Sequence, residues 1–454
     1  MRPLSIAALM LLAVPGRAFA AAPELGFSGP QLGPVPIEFI LFGLVLAGVA
    51  IFHNQTMKIA ITGAVGIALY KIIASPFRTG AGLTGFGLHL ESEWVILTNL
   101  LMLLVGFALL ARHFENSEVP AALPKYLPDG WLGGFILLWM ICILSSFLDN
   151  IAAALIGGAV AHTVFRGKIH IGYLAAIVAA SNAGGAGSVV GDTTTTMMWI
   201  AGVPPLQVLH GYGGSFAAMF VCGIPAALVQ HKYSPIHRAD AANARVDWVR
   251  VAVVLSILVA AIIVNVVINT RFTESSDQFP FLGAAVWTAI LLTTVLRKPE
   301  WSLMPAALKG AAFLLSLVLC ASMMPVERLP HAGWESAFGL GFVSAVFDNI
   351  PLTALALKQG GYDWGVLAYT VGFGGSMIWF GSSAGVALVT MYPEGRNAAK
   401  WLKEGWFVTA AYIVGFAVLM GVLGFHPGVR PRGAVEPTPV SVVAPLPSWV
   451  VVQR

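Results

Sequence analysis

Apolar segments of about 20 residues follow one another along almost the whole chain, and only short polar gaps separate them. A helix needs about 20 mainly apolar residues to cross the hydrocarbon core of a bilayer. Of the 454 residues, 57% are hydrophobic and only 10% are charged, whereas a soluble domain has about 25% charged residues. The pattern therefore predicts an all-α polytopic membrane protein.

Most of the apolar segments have the length of a single membrane span. The predicted spans lie near 36–53, 57–75, 94–111, 170–201, 208–230, 248–268, 279–296, 302–323, 364–391 and 405–425. Two further apolar stretches, 131–165 and 334–357, are interrupted by an Asp-Asn pair, and we interpret each as a helical hairpin.

The two ends of the chain differ from these segments. Residues 1–22 have the features of a secretory signal peptide or short anchor, because Arg2 precedes an apolar stretch that is too short to span. Residues 426–454 form a Pro-rich tail.

Lys and Arg are concentrated in the gaps that this arrangement assigns to the cytoplasm. We therefore expect a multi-pass protein of a bacterial inner membrane, with the mature N terminus and the C terminus in the periplasm. The same distribution argues against a nucleic-acid partner despite the net charge of +4, because the basic residues lie in short gaps between apolar segments. Glu91 and Glu93 are expected at the outer interface.

A motif recurs in the two halves of the chain. SSFLDNIAAAL (145–155) matches SAVFDNIPLTAL (344–355), and GGAGSVVGDTTTT (184–196) matches GGSMIWFGSSAG (374–385). Each half then contains three spans, a hairpin, an interrupted span and a last span. Five crossings per half force the second half into the opposite orientation, so we predict inverted repeats at 36–230 and 248–425. Such repeats with interrupted helices are typical of secondary transporters.

The glycine-rich runs inside two spans are poor helix formers. Non-helical backbone at membrane depth survives only when it is buried in protein or faces water. Its free carbonyl groups suit a monovalent cation such as Na⁺. Nearby side chains add oxygen ligands, namely Asn182, Thr193, Thr194, Thr195 and Thr196 in the first half and Ser376, Ser382 and Ser383 in the second.

Three carboxylates lie deep in apolar sequence: Asp149, Asp192 and Asp348. An acid at the bilayer centre costs about 2.5–3.5 kcal/mol on insertion scales, so it is interpreted as functional. We expect Na⁺ and H⁺ to compete at a site that contains Asp149 and Asp192, with Asp348 forming a second site or balancing the first. The provisional Na⁺ ligands are Asp149, Asn150, Asn182, Asp192 and Thr194.

Structural roles for the same residues remain open. Asp149-Asn150, Asp348-Asn349 and Asp192 are also suited to cap helices, since Asp and Asn are favoured there. The three serines of the second half are small enough to serve only in packing.

These motifs resemble the ion-transporter superfamily, and within it the NhaD-type sodium/proton antiporters. The closest stretches are SSFLDNIAAALIGG (145–158), SNAGGAGSVVGDTTTTMMW (181–199), DNIPLTAL (348–355) and GGSMIWFGSSAGVAL (374–388). The resemblance implies a homodimer with a scaffold domain and a moving transport domain. It implies cation or proton roles for Asp149, Asn150, Asn182, Asp192, Thr194, Thr195, Asp348, Asn349, Ser382 and Ser383. It implies no cofactor besides the transported Na⁺ and H⁺.

Two other functions are alternatives for these residues. Relatives in the same superfamily carry citrate, other dicarboxylates or arsenite, so a cation-coupled citrate or dicarboxylate symporter is the alternative. An intramembrane enzyme is disfavoured, because the sequence has no His-Glu-x-x-His pair and no Gly-x-Ser-x-Gly elbow.

Overall fold

The computed structural model describes residues 29–52, 55–188, 190–237, 245–272, 275 and 277–435. Within these ranges the regular secondary structure is helical except for one short antiparallel pair of strands, β1 (Gln31–Leu32) and β2 (Val35–Pro36). The predicted signal segment 1–22 and the tail beyond residue 435 lie outside the described residues.

The helices of the N-terminal half follow the apolar segments of the sequence. They are α1 (Ile37–Ile51), α2 (Thr56–Ala74), α3 (Gly82–Glu115), α4 (Val119–Ala122), α5 (Trp131–Ser145), α6 (Asn150–Val164), α7 (Ile171–Gly185), α8 (Thr193–Ile200), α9 (Pro205–Leu209) and α10 (Gly211–Tyr233).

The C-terminal half is built in the same way. Its helices are α11 (Trp248–Arg271), α12 (Phe281–Thr293), α13 (Met304–Ser322), α14 (Trp334–Ser344), α15 (Asn349–Gln359), α16 (Trp364–Gly374), α17 (Ser383–Met391), α18 (Ala398–Glu404) and α19 (Trp406–Val422).

Five helices in the described ranges are long and apolar enough to cross a membrane, or six if α18 and α19, which are bent by 63°, form one span. The chain is therefore a multi-pass, all-α membrane protein. Helix α3 is longer than the pattern suggested, because it begins at Gly82 and not near residue 94. Its 34 residues extend roughly 50 Å at 1.5 Å per residue, beyond a core of about 30 Å.

The two Asp-Asn pairs lie at breaks between short helices. Helices α5 and α6 are separated by residues 146–149, and helices α14 and α15 by residues 345–348. A limb of 15 residues extends only about 22 Å, too short to cross the hydrocarbon core alone. We refer to α5–α6 as the first hairpin and to α14–α15 as the second hairpin.

The two glycine-rich runs also interrupt helices. Residues 186–192 separate α7 from α8, and residues 375–382 separate α16 from α17. Helix α7 is buried from Gly172 to Gly185, and every residue of α16 is buried. The breaks are therefore enclosed by protein, as non-helical backbone at membrane depth must be.

The helices pack into two groups. The first, which we call the frame, consists of α1, α2, α3, α11, α12 and α13. The second, which we call the central bundle, consists of α5 to α8, α10, α14 to α17 and α19. The frame meets the central bundle mainly where α15 packs on α13 and α8 packs on α3. Both hairpins and both broken helices lie in the central bundle.

Candidate functional site

Asp192 is buried at the end of the first break, where it caps helix α8. Its Oδ2 accepts a hydrogen bond of 2.6 Å from Thr194 Oγ1, and its Oδ1 lies 3.4 Å from the Thr194 backbone nitrogen. Asp is favoured at this position because its carboxylate satisfies backbone N–H groups that have no partner inside the helix. The capping role is therefore observed, but it uses only part of the carboxylate.

The two hairpins meet at the same carboxylate. Asn150, the first residue of α6, donates from Nδ2 to Asp192 Oδ1 at 3.4 Å. Asn349, the first residue of α15, donates from Nδ2 to Asp192 Oδ2 at 3.4 Å. Equivalent residues of two distant motifs thus contact opposite oxygens of one acid.

A second set of bonds joins the two broken helices. Asn150 Nδ2 also lies 3.0 Å from Asn182 Oδ1, and Asn182 Nδ2 donates to Ser376 Oγ at 2.9 Å. The backbone oxygen of Ser376 accepts a bond of 3.3 Å from Trp401 Nε1. Because Asn182 belongs to α7 and Ser376 to the second break, the second break is held against the helix that precedes the first break.

Asp149 and Asp348 occupy matching positions and are less buried than Asp192. Each caps the second limb of its hairpin, through the backbone nitrogens of Ile151 at 3.3 Å and Ile350 at 3.0 Å. Each directly precedes an asparagine, Asn150 or Asn349, that contacts the Asp192 carboxylate. The structure therefore gathers the three deep acids into one region.

The second half also links its hairpin to its broken helix. Ser383 Oγ donates to Asp348 Oδ2 at 2.8 Å. Ser382 caps α17 by accepting from the backbone nitrogen of Gly385 at 3.3 Å, so it takes the place that Asp192 takes on α8. Its hydroxyl is not one of the groups hydrogen-bonded to the Asp192 carboxylate in the described structure.

Thr195 differs from Thr194 in its bonding. Its Oγ1 donates to the backbone oxygen of Asp192 at 2.9 Å, one turn back along the helix, and not to the carboxylate. Successive helix positions point in different directions, so only part of the threonine run reaches the acid.

Three polar residues beside the first break were not among the predicted site residues. Ser146 Oγ and Tyr212 OH both donate to the backbone oxygen of Gly184, at 3.2 and 3.1 Å, and Ser188 Oγ donates to Ser146 O at 2.7 Å. Ser146 and Ser188 belong to the recurring motifs, so the sequence held a signal for them. Tyr212 lies in α10, where nothing in the pattern marks it.

Glycines allow the hairpins to approach the breaks. A Cβ at Gly191 would lie 1.9 Å from Ser145 O, and a Cβ at Gly381 would lie 2.6 Å from Ala345 O. Both contacts are shorter than any non-bonded carbon–oxygen approach, so a side chain there would push the hairpin away. The equal spacing of these glycines in the two motifs thus has the same steric reason in both halves.

The oxygens in this region are those that a hard monovalent cation prefers, namely carboxylate, amide and hydroxyl groups. In the described part of the chain no three His, Cys, Asp or Glu side chains lie together in a group that would hold a metal ion. The region therefore offers mainly neutral amide and hydroxyl oxygens together with a few carboxylates. Its one fully buried acid is surrounded by donors that compete with a cation for the same lone pairs.

No protein-family model matches the chain. Curated relatives match it at low identity. Sodium/proton antiporter 1 of Arabidopsis thaliana is 26% identical over 361 residues, covering 71% of this chain and 59% of the relative. The Na⁺/H⁺ antiporter NhaD of Halomonas elongata is 24% identical, covering 57% of this chain and 60% of the relative. The NhaD of Vibrio cholerae is 27% identical, covering 57% and 63%.

The matched part spans about three fifths of the length of each of these three relatives. All three carry the name of a sodium/proton antiporter. The chain is thus similar to the NhaD-type sodium/proton antiporters, as its motifs indicated.

Proposed function

We propose that the protein is a secondary transporter that exchanges a monovalent cation, Na⁺ or Li⁺, for protons. The observation that carries the proposal is the environment of Asp192, a buried carboxylate contacted by Asn150 of one hairpin and Asn349 of the other. A buried acid is costly at membrane depth, so its presence there points to a function. The names of the relatives support the same class of activity.

The exchange follows from competition at the carboxylate. A proton neutralises Asp192 by a covalent bond, and a cation neutralises it by coordination, so the site holds one or the other. Binding of Na⁺ to the protonated site releases H⁺, and protonation of the loaded site releases Na⁺. Either form is neutral at this acid, which lowers the cost of moving it through a low-dielectric region.

The amide donors adjust to the two forms. Asn150 and Asn349 present their NH₂ groups to the carboxylate in this structure. Rotation of an amide by about 180° would present its oxygen instead, which is a cation ligand. The proposed Na⁺ ligands are Asp149, Asn150, Asn182, Asp192 and Thr194. Asp348, Asn349, Ser376, Ser382 and Ser383 complete the site from the second half, and Thr195 fixes the backbone of Asp192.

Alternating access would come from movement of the central bundle against the frame. The two halves would be inverted repeats, 36–230 and 248–425, so that the first hairpin opens to one side of the membrane and the second to the other. The matching breaks and matching glycine contacts support this arrangement. We further propose a homodimer in a bacterial inner membrane, with both mature termini in the periplasm and no enzymatic activity.

A cation-coupled symporter of citrate or another dicarboxylate is the second candidate. The hydroxyls and the helix N termini at the breaks favour it, because such groups bind anions. Three neighbouring acids oppose it, because they repel a polyanion until cations bind.

Proton flux in everted vesicles tests the proposal. Addition of Na⁺ or Li⁺ should alkalinise the acidified lumen, which a pH-sensitive dye reports, and vesicles carrying Asp192→Asn should give no such signal. Asn inserts at lower cost than Asp, so the variant should still be found in the membrane fraction. Potassium chloride is the ionic control.

Two results would contradict the proposal. One is normal exchange by Asp192→Asn, and the other is proton uptake when Na⁺ is added to the detergent-solubilised wild type. Uptake of labelled citrate without cation-dependent proton flux would instead support the symporter.

A further inference from the structure

A buried ion pair joins the frame to the central bundle. Lys358 Nζ contacts Glu93 Oε1, and both side chains are largely buried. Glu93 belongs to α3 of the frame, and Lys358 lies in the last turn of α15, the limb whose first residue contacts Asp192. The pair therefore connects the fixed frame to the opposite end of a helix that touches the candidate site.

The pair would be costly to separate. Removing one partner of a buried ion pair leaves the other charge without compensation in a poorly solvated place. The same holds for a movement that pulls the partners apart without hydrating them. Glu93 and Lys358 therefore favour the arrangement of the two groups of helices that this structure contains.

The segment after α19 makes a second connection. The Arg432 backbone nitrogen donates to Ala201 O of the central bundle at 2.9 Å, and its guanidinium contacts Asn269 Oδ1 and lies 3.4 Å from Asp277 Oδ1. Asn269 belongs to α11 of the frame. Arg432 thus bridges the same two groups of helices as Lys358.

The two connections are themselves linked. The Val435 backbone nitrogen donates to Lys358 O at 2.9 Å. Upstream, Trp364 Nε1 donates to Val429 O at 2.8 Å, which fastens the segment to the start of α16. The described part of the Pro-rich tail is therefore bound along the central bundle and carries a cationic side chain to the frame.

From these contacts we infer that two connections form a latch between the frame and the central bundle: the Glu93–Lys358 pair, and the contacts of Arg432 with Asn269 and Asp277. The latch holds the central bundle in one position and must open for the bundle to move. The inference rests on the proposed function, since it assumes that the bundle moves during transport. It adds a conformational role for residues that lie away from the three deep acids.

Distances between spin labels test the latch. Gly66 of the frame and Gly421 of the central bundle both have open space where a side chain would begin, so each accepts a labelled cysteine. The background replaces the three buried cysteines, Cys142, Cys222 and Cys320, with alanine. Double electron–electron resonance in proteoliposomes measures the distances between the two labels, and their distribution reports how often the bundle occupies each position relative to the frame.

Glu93→Gln and Lys358→Met should each shift the ratio of the label-to-label distances at least fivefold away from the wild-type population. The charge reversal Glu93→Lys with Lys358→Glu restores the attraction, so it should return the distribution toward that of the wild type. Arg432→Ala should produce a smaller shift in the same direction, because Arg432 is more exposed to solvent than the buried pair.

An unchanged distribution in both single variants would overturn the latch, as would a reversal that leaves the distribution as shifted as the singles do. If a single variant fails to fold, the reversal and Arg432→Ala still decide the question. Proton flux by the wild type separates this result from the proposed function. If the wild type exchanges cations for protons and the variants show no change in distance, the latch alone is rejected. If the variants change the distance but the wild type shows no cation-dependent flux, the transport activity is rejected and the latch is retained.

Discussion

Asn349 Nδ2 lies 3.4 Å from Asp192 Oδ2, although 157 positions separate the two residues in the chain. The contact brings the second hairpin onto the first broken helix. If the site were formed by one half alone, loss of this bond would leave it unchanged. Here the carboxylate of one half is contacted by the amide of the other, so each half depends on the other. We therefore expect changes in either hairpin to alter the same carboxylate.

Loss of either amide should weaken cation binding without abolishing exchange. In the proposed cation-bound form each amide turns its oxygen toward Na⁺, and a polar contact with a charged group contributes about 1.5–3 kcal/mol. Asn150→Ala and Asn349→Ala remove that oxygen, so each should raise the Na⁺ concentration for half-maximal proton flux roughly 10- to 100-fold. The dye assay in everted vesicles over a range of Na⁺ concentrations measures this. A change in only one variant would contradict a shared site.

Transfer of the acid to the equivalent position of the second half should fail. In the equal spacing of the motifs, Ser382 corresponds to Asp192 and Gly372 corresponds to Asn182. The double variant Asp192→Ser with Ser382→Asp keeps the number of acids, but Gly372 gives the new acid no counterpart of Asn182. We expect proton flux at the background level, with normal amounts of protein in the membrane. Restored exchange would show that the two positions are interchangeable.

A side chain added at a glycine of the first break should push the first hairpin away from the broken helix. A Cβ at Gly191 would meet Ser145 O at 1.9 Å, whereas a Cβ at Gly310 on α13 has nothing within 4 Å. Overpacking costs about 1–3 kcal/mol, so Gly191→Ala should lower the thermal midpoint in detergent by several degrees and reduce exchange. Gly310→Ala is the matched control and should leave both unchanged. Equal thermal midpoints for Gly191→Ala and Gly310→Ala would contradict the prediction, because they would mean that the break accommodates a methyl group without cost.

A charge pair outside the spans should stabilise the protein near neutral pH and lose that effect in acid. The Arg297 guanidinium, hydrogen-bonded to Asp247, lowers the pKa of that carboxyl below its ordinary value. Because the folded pKa is the lower one, the stabilisation is complete above the unfolded pKa of about 3.9 and disappears as pH falls through the folded pKa. Asp247→Asn keeps the helix cap and removes the charge.

The thermal midpoint of Asp247→Asn should therefore lie below that of the wild type by a constant amount from pH 5 to 8. The difference should shrink in more acidic buffer. A difference that grows below pH 4 would contradict the direction of the pKa change.

Much of the architecture follows from sequence patterns. The Asp-Asn pairs lie at the hairpin breaks, and the glycine runs lie at the helix breaks, because neither composition sustains a helix at membrane depth. The contact of Asn182 with Ser376 depends on how α7 packs against the distant second break, which no local pattern encodes.

Other parts of the structure could not be deduced. Glu93 is buried against Lys358, a partner 265 positions away, and its placement at the outer interface stays a prediction. Local charge patterning can place a single acid near a span end, yet it cannot find a partner in another helix. The start of α3 at Gly82 was missed because the first turns of that helix are less apolar than the rest.

Helices α7 and α16 are enclosed along nearly their whole length by neighbouring helices. Neither helix contacts lipid acyl chains along those buried residues, so the surrounding helices set its position along the membrane normal. A thicker or thinner bilayer acts on the helices with exposed apolar side chains, which include α10 and α19 of the central bundle, and reaches the breaks only through them. In the proposed mechanism, lipid composition should thus tune how readily the bundle moves, while the affinity of the acidic centre for its cation stays the same.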